Sequence, residues 1–181
     1  MHFLGLSGSL RKQSFNTAAL QACQQLLPAG VTMSLLDITA VPLYNDDVYQ
    51  QGFPDPVQQL REQIRVADAL VIATPEYNYS VPGVLKNAID WISRPPSQPF
   101  DGKPIALIGA TPGGLGTSRA QYHLRQMFIY LNGELLNRPE VFISGAPNKF
   151  DAQGKLTDAA TADNLGKMLA ALAERARRLK A

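Results

Sequence analysis

The stretch "GSLRKQSFN", Gly8 to Asn16, gathers polar groups directly after a short apolar run. Ser9, Ser14 and Asn16 supply hydroxyl and amide donors, and Arg11 adds a guanidinium fork. Such donors suit phosphate oxygens, because each charge-assisted hydrogen bond contributes roughly 1.5–3 kcal/mol. A terminal phosphomonoester has three oxygens to satisfy, whereas a pyrophosphate mainly needs close backbone approach. Helix capping by Ser14 or Asn16 accounts for one of these residues but not for all four together. The glycine-based phosphate motifs are missing: there is no G-x-G-x-x-G and no G-x-x-x-x-G-K-[ST]. Asp37 stands where a dinucleotide-binding protein keeps its ribose-binding acid. Without the glycines it reads as well as a solvated strand end.

Two further stretches carry unusual chemistry. In "TPEYNYSVPGVLKNAIDW", Thr74 to Trp91, Pro75 and Pro82 stiffen a loop bearing Glu76, Tyr77, Asn78, Tyr79 and Ser80. Tyrosine faces can pack a planar ring while backbone N–H groups and Asn78 reach its polar edge. The plainer alternative makes the tyrosines rim or subunit contacts and Glu76 a solvated acid. In "ATPGGLGTSRAQ", Ala110 to Gln121, Gly113, Gly114 and Gly116 allow close backbone approach or positive φ, or simply a flexible turn. Familiar catalytic groupings do not emerge. His2 is terminal, His123 lies in a helical pattern with Arg119 and Arg125, and two histidines with one cysteine give no metal-ligand spacing. Neither a catalytic side chain nor a metal site is therefore expected.

These loops need elements to hold them. Strand-like runs fall at Phe3–Leu6, Val31–Asp37, Ala69–Thr74, Ile105–Ala110 and Val141–Ser144, four of them nearly continuous in apolar residues. Helical patterns lie near 16–27, 56–67, 82–93, 118–132 and 158–179. Val81, Leu85, Ala88, Ile89 and Ile92 form one stripe, and Leu165, Met168, Leu169, Leu172, Ala176 and Leu179 form another. Strict β–α alternation predicts a single α/β domain over 1–181, a flavodoxin-like doubly wound parallel sheet of five strands in the order 2-1-3-4-5. Ligands in such sheets lie beyond the carboxyl ends of the strands, at the switch point between strands one and three. All three unusual loops are predicted to meet there.

Totals narrow the class. Of 181 residues 45% are apolar and 18% charged, which describes an ordinary globular chain rather than a disordered one. A net charge of +2 gives no footprint for nucleic acid. Cys23 stands alone, excluding an internal disulfide and suiting a reducing cytosol. No apolar run approaches the roughly 20 residues of a membrane span. The N-terminus lacks the basic, apolar and small-residue regions of a signal peptide. A cytoplasmic protein without membrane or nucleic-acid partners is expected.

The two long motifs, together with "VPLYNDD" (Val41–Asp47) and "RAQYHLRQ" (Arg119–Gln126), resemble the NADPH-dependent FMN reductase family, in particular its quinone, chromate and azo-dye reductase branch. The resemblance spans nearly the whole chain. It implies a flavodoxin-like fold, non-covalently bound FMN, NADPH or NADH as cosubstrate, and a homodimer or homotetramer. By matching position it implies that Ser9, Arg11, Ser14, Phe15 and Asn16 hold the FMN phosphate. It places Pro75, Glu76, Tyr77, Asn78 and Tyr79 along the isoalloxazine, with Thr111 and Gly113 near the ring or ribityl chain. It further implies ping-pong hydride transfer from NAD(P)H through FMN to a small-molecule acceptor: a quinone, chromate, an azo compound or a relative of these. The flavin would carry that chemistry without a catalytic side chain. The helix holding Arg119, Tyr122 and Arg125 would lie at a subunit interface or be a solvated surface, and the loop Leu43–Pro56 would cover a neighbour's flavin. Lys12 would meet a 2′-phosphate or remain a solvated loop lysine. The rival reading is a flavodoxin-type electron carrier without reductase activity of its own; the basic pI of 8.7 and the "SLRKQSFN" loop argue against it.

Overall fold

The computed structural model describes residues 1–180. Four parallel strands form the continuous part of the sheet. β1 (His2–Ser7) pairs on one side with β2 (Thr32–Leu36) and on the other with β3 (Ala69–Ala73), which pairs with β4 (Pro104–Ala110). Beyond β4 the fifth position is shared by β5 (Glu134–Leu135) and β6 (Val141–Ile143), both parallel to β4. The order 2-1-3-4-5 is as expected. The single fifth strand expected at Val141–Ser144 is instead two short segments. Pro139, in the intervening "LNRPE", has no N–H to give to a ladder.

Side-chain alternation divides the core. On β3, Ala69, Val71 and Ala73 face a layer built by α1 (Phe15–Gln25) and the final helix, α6 (Ala159–Arg178). Leu70 and Ile72 face the other layer, formed by α3 (Asp55–Val66), α4 (Gly83–Ile92) and α5 (Ser118–Tyr130). Both faces of the central strands are thus covered, which is why those runs are apolar without a break. Leu85, Ala88, Ile89 and Ile92 of α4 are all buried, and so is the α6 stripe from Leu165 to Ala176. Burying each leucine or isoleucine contributes roughly 1.5–3 kcal/mol. Leu179 departs from its stripe: it sits at the C-cap of α6, half-exposed, because the helix has already ended.

The long connection after β2 is firmly tied down. It contains the short helix α2 (Asp46–Tyr49), capped by the Asn45 side chain. Asn87 of α4 accepts from the Tyr44 N–H at 2.8 Å and donates to the Pro42 carbonyl at 2.8 Å. Trp91 Nε1 donates to the same carbonyl at 2.9 Å. The Arg61 guanidinium, buried beneath the Phe53 ring, donates to the Ile92, Arg94 and Pro96 carbonyls at the end of α4. Among the described residues no helix is long and apolar enough to cross a membrane.

Candidate functional site

The carboxyl ends of β1, β3 and β4 open into a cavity of about 330 Å³. Ser9, Arg11, Ser14, Phe15 and Asn16 line it from the first loop, Pro75, Glu76 and Tyr77 from the second, and Ala110, Thr111 and Pro112 from the third. Three loops remote in sequence meet here because their strands are adjacent in the sheet. Asn78, Tyr79 and Gly113 stand outside the lining. A larger hollow of about 400 Å³ lies along the outer face of α1, away from the strand ends, with Gln21, Gln25, Gln153 and Lys155 among its walls.

At the α1 end, Ser14 is the N-cap, its hydroxyl oxygen accepting from the N–H groups of Asn16 and Thr17 at 3.2 and 3.4 Å. Ser9 Oγ accepts from the Arg11 N–H at 3.3 Å. Each hydroxyl hydrogen therefore remains available to a ligand. The N–H groups of Lys12, Gln13 and Phe15 have no acceptor among the described residues. Together with the positive end of the α1 dipole and the exposed Arg11 side chain, they make an anion site.

Asn16 also bonds to β4. Its buried side-chain amide donates to the Ala110 carbonyl at 3.0 Å and accepts from the Ala110 N–H at 2.9 Å. It lines the cavity, and its amide stitches the start of α1 to the end of β4, leaving one Nδ2 hydrogen for a ligand. No local pattern could have shown this, because the partner is 94 residues away.

The opposite wall is a tight turn. Tyr77 and Ser80 exchange backbone hydrogen bonds of 3.1 and 3.0 Å, and the two residues between them, Asn78 and Tyr79, have φ of 50° and 64°. Two successive positive φ values define a mirror-image type I turn, tolerable for asparagine but uncommon and costly for tyrosine. The N–H groups of Glu76 and Asn78 have no acceptor among the described residues and are available to a ring edge.

Glu76 is not the solvated acid that the plainer alternative allowed. Its side chain is 13% exposed, and one oxygen accepts from the N–H groups of Arg119 and Ala120 at 3.1 and 3.2 Å. The other oxygen meets Arg119 Nη1 at 3.0 Å. The Arg119 guanidinium lies 3.8 Å from the Tyr79 ring centroid. His123 Nδ1 is 2.9 Å from Ser80 Oγ. Of the three loop glycines only Gly116 adopts positive φ, at 55°, and a Cβ there would come within 2.5 Å of Phe142. Gly113 and Gly114 border open space; Gly113 donates to Thr111 Oγ1 at 3.3 Å.

Two candidates for other chemistry fall away. Burial pushes the Cys23 thiol up to about 12, so it is no nucleophile at neutral pH. Asp37 accepts from the Thr39 N–H, which holds its carboxyl below the ordinary value. It behaves as a solvated strand end.

The arrangement can hold an anion at the start of α1 and a flat polar-edged group between the 75–77 and 110–112 segments. Comparisons with known proteins identify the family. Residues 1–148 match the family described as NADPH-dependent FMN reductase. An NAD(P)H-dependent FMN reductase of Pseudomonas aeruginosa is 58% identical over 177 residues, covering 98% of this chain and 96% of the relative. A quinone reductase of Escherichia coli is 47% identical over 178 residues, covering 97% and 95%. Among solved structures, FerB, a flavoenzyme NAD(P)H:(acceptor) oxidoreductase from Paracoccus denitrificans, superposes with a TM-score of 0.88 at 35% identity, covering 98% of this chain and 97% of that one. The chain belongs to the NADPH-dependent FMN reductase family.

Proposed function

We propose that this member of the family transfers reducing equivalents from NAD(P)H through bound FMN to a quinone, chromate, an azo compound or a similar small acceptor. One observation carries the reading. The cavity joins a helix N-terminus rich in free donors to an aromatic, proline-stiffened wall, at the switch point of the sheet.

The donor set fits FMN. Ser9, Arg11, Ser14 and the free N–H groups of Lys12, Gln13 and Phe15 would hold the phosphate. Pro75, Glu76, Tyr77, Thr111 and Pro112 would flank the ring system, with the N–H groups of Glu76 and Asn78 reaching its polar edge. FMN, when bound, supplies the hydride-accepting and electron-donating chemistry. The protein orients the ring and leaves one approach open, so that NAD(P)H and the acceptor take turns at the same place. Tyr77 and Tyr79, 55% and 65% exposed, border that approach. Pro112 cannot donate, so of the third loop's lining residues it is Thr111, with its hydroxyl, that would meet the cofactor. No side chain is required as acid, base or nucleophile.

A homodimer or homotetramer is part of the proposal, supported by the exposed Tyr122, Ile129 and Tyr130 on α5 and by Leu43 in the connection after β2. A monomer by light scattering would remove it. The buried, solitary Cys23 supports a reducing, cytoplasmic setting.

The deciding experiment is the visible spectrum of the purified protein before and after NADPH without oxygen. Flavin bands that bleach are expected. Bands that NADPH leaves untouched would turn the reading into an electron carrier, and a colourless protein that also refuses added FMN would overturn it.

A further inference from the structure

Glu76 has two positions at once. It lines the cavity, and its carboxylate closes the N-terminus of α5. Helix α5 has no cap of its own: Thr117 stands at the N-cap with φ of 65° and makes no side-chain capping bond, and its hydroxyl instead accepts from Gln121. The carboxylate from the other loop is the substitute. It is also neutralised there, by the Arg119 guanidinium at 3.0 Å and by the positive end of the helix. Arg119 in turn packs over Tyr79, the residue in the costly positive-φ conformation. One ion pair thus fixes three things: the cavity wall, the start of α5 and the strained turn.

We propose that Glu76 and Arg119 act as a positioning pair that holds the Tyr77–Ser80 turn and keeps the net charge beside the redox ring near zero. The charge half of this proposal rests on the FMN reading above; the capping half stands without it. A lone carboxylate in the cavity wall would oppose electron uptake by a neighbouring ring, and a lone guanidinium would favour it. Paired, they cancel.

The test uses the FMN-loaded full chain and three readouts: the reduction potential of bound FMN, FMN affinity by fluorescence, and hydrogen exchange at Arg119 and Ala120 in FMN-free protein. Glu76→Gln is expected to raise the potential, because Arg119 loses its counter-charge. Arg119→Met is expected to lower it, because the carboxylate loses its partner. The double variant should return towards the wild-type potential while binding FMN several-fold more weakly, since the turn is no longer held. Glu76→Leu, which removes the accepting oxygens altogether, should speed exchange at 119 and 120 several-fold. Potentials that both shift in one direction, or neither shift, would overturn the charge role, since a purely structural pair gives no reason for opposite signs. Unchanged exchange would overturn the cap. If either single variant fails to fold, Glu76→Asp and Arg119→Lys keep both charges with altered reach. They should loosen FMN binding at a near-wild-type potential, and unaltered binding in both would count against the positioning role. Wild-type protein that refuses FMN would overturn the FMN reading and with it the charge role, while the exchange measurement would still decide the cap.

Discussion

Helices α1 and α5 both begin at the carboxyl edge of the sheet, and their first turns end in opposite ways. At α1 the cap is local: Ser14 satisfies Asn16 and Thr17, the N–H groups of Lys12, Gln13 and Phe15 are left over, and Arg11 stands beside them. At α5 the cap comes from a distant loop, with the Glu76 carboxylate filling the helix end and Arg119 neutralising it. A helix N-terminus carries roughly half a positive charge, so each could in principle attract an anion. Only the first is open. Two similar helix ends in one crevice therefore differ: one keeps free donors for an anion, the other is filled and anchors the turn of the second loop.

Removing the stitch beside the open end gives the largest expected effect. Asn16→Leu orphans both Ala110 backbone groups in a buried place, at about 1–3 kcal/mol each. Urea unfolding should show a loss of about 2–4 kcal/mol, and a change below half a kcal/mol would mean that local relaxation replaces the bonds. Next is the cation. Arg11→Ala should weaken FMN about ten- to hundredfold, corresponding to roughly 1.5–3 kcal/mol, with little change in folding stability. A fluorescence titration giving unchanged affinity would place the phosphate elsewhere and dissolve the contrast between the helix ends.

The smallest effect is expected at a third helix start, that of α6, where Asp158 supplies its own cap by accepting from the Thr161 hydroxyl and N–H. Those bonds, the side-chain one foremost, hold its carboxyl below the ordinary value of 3.8. A lowered native value means that the stabilisation is present above the ordinary value and is lost as pH falls through the native one. The stability difference between wild type and Asp158→Asn should thus be full at about pH 6 and vanish towards about pH 2. A difference that persists in acid would show that the cap works without its charge.

Much of this was legible beforehand. Burial on both faces of the sheet left continuous apolar runs, and burial on one face of α4 and α6 left stripes with helical spacing. Those patterns follow from local geometry, so β1 to β4 and the five long helices lie close to their expected places. The fifth strand was legible only in part. β5 is two residues long, too short for an alternation to register. Helix α2, four residues with no buried face, left no stripe either. At the candidate site, the crowding of Ser9, Arg11 and Ser14 pointed to the start of α1 as the proposed anion end without any partner being known. The two tyrosines and two prolines marked the second loop, but not that it closes into a turn with Tyr79 at positive φ.

The sequence by itself determined the β–α alternation and which three loops are crowded with donors, aromatics and glycines, because backbone periodicity and residue type are properties of neighbours along the chain. Only the tertiary structure decided how those donors are spent. Asn16 is claimed by Ala110 across 94 residues, and Glu76 by the first turn of a helix 43 residues on. Buried backbone groups must find partners wherever the fold brings one within reach, and an amide or carboxylate used in that way cannot be told from a free one until the loops have met.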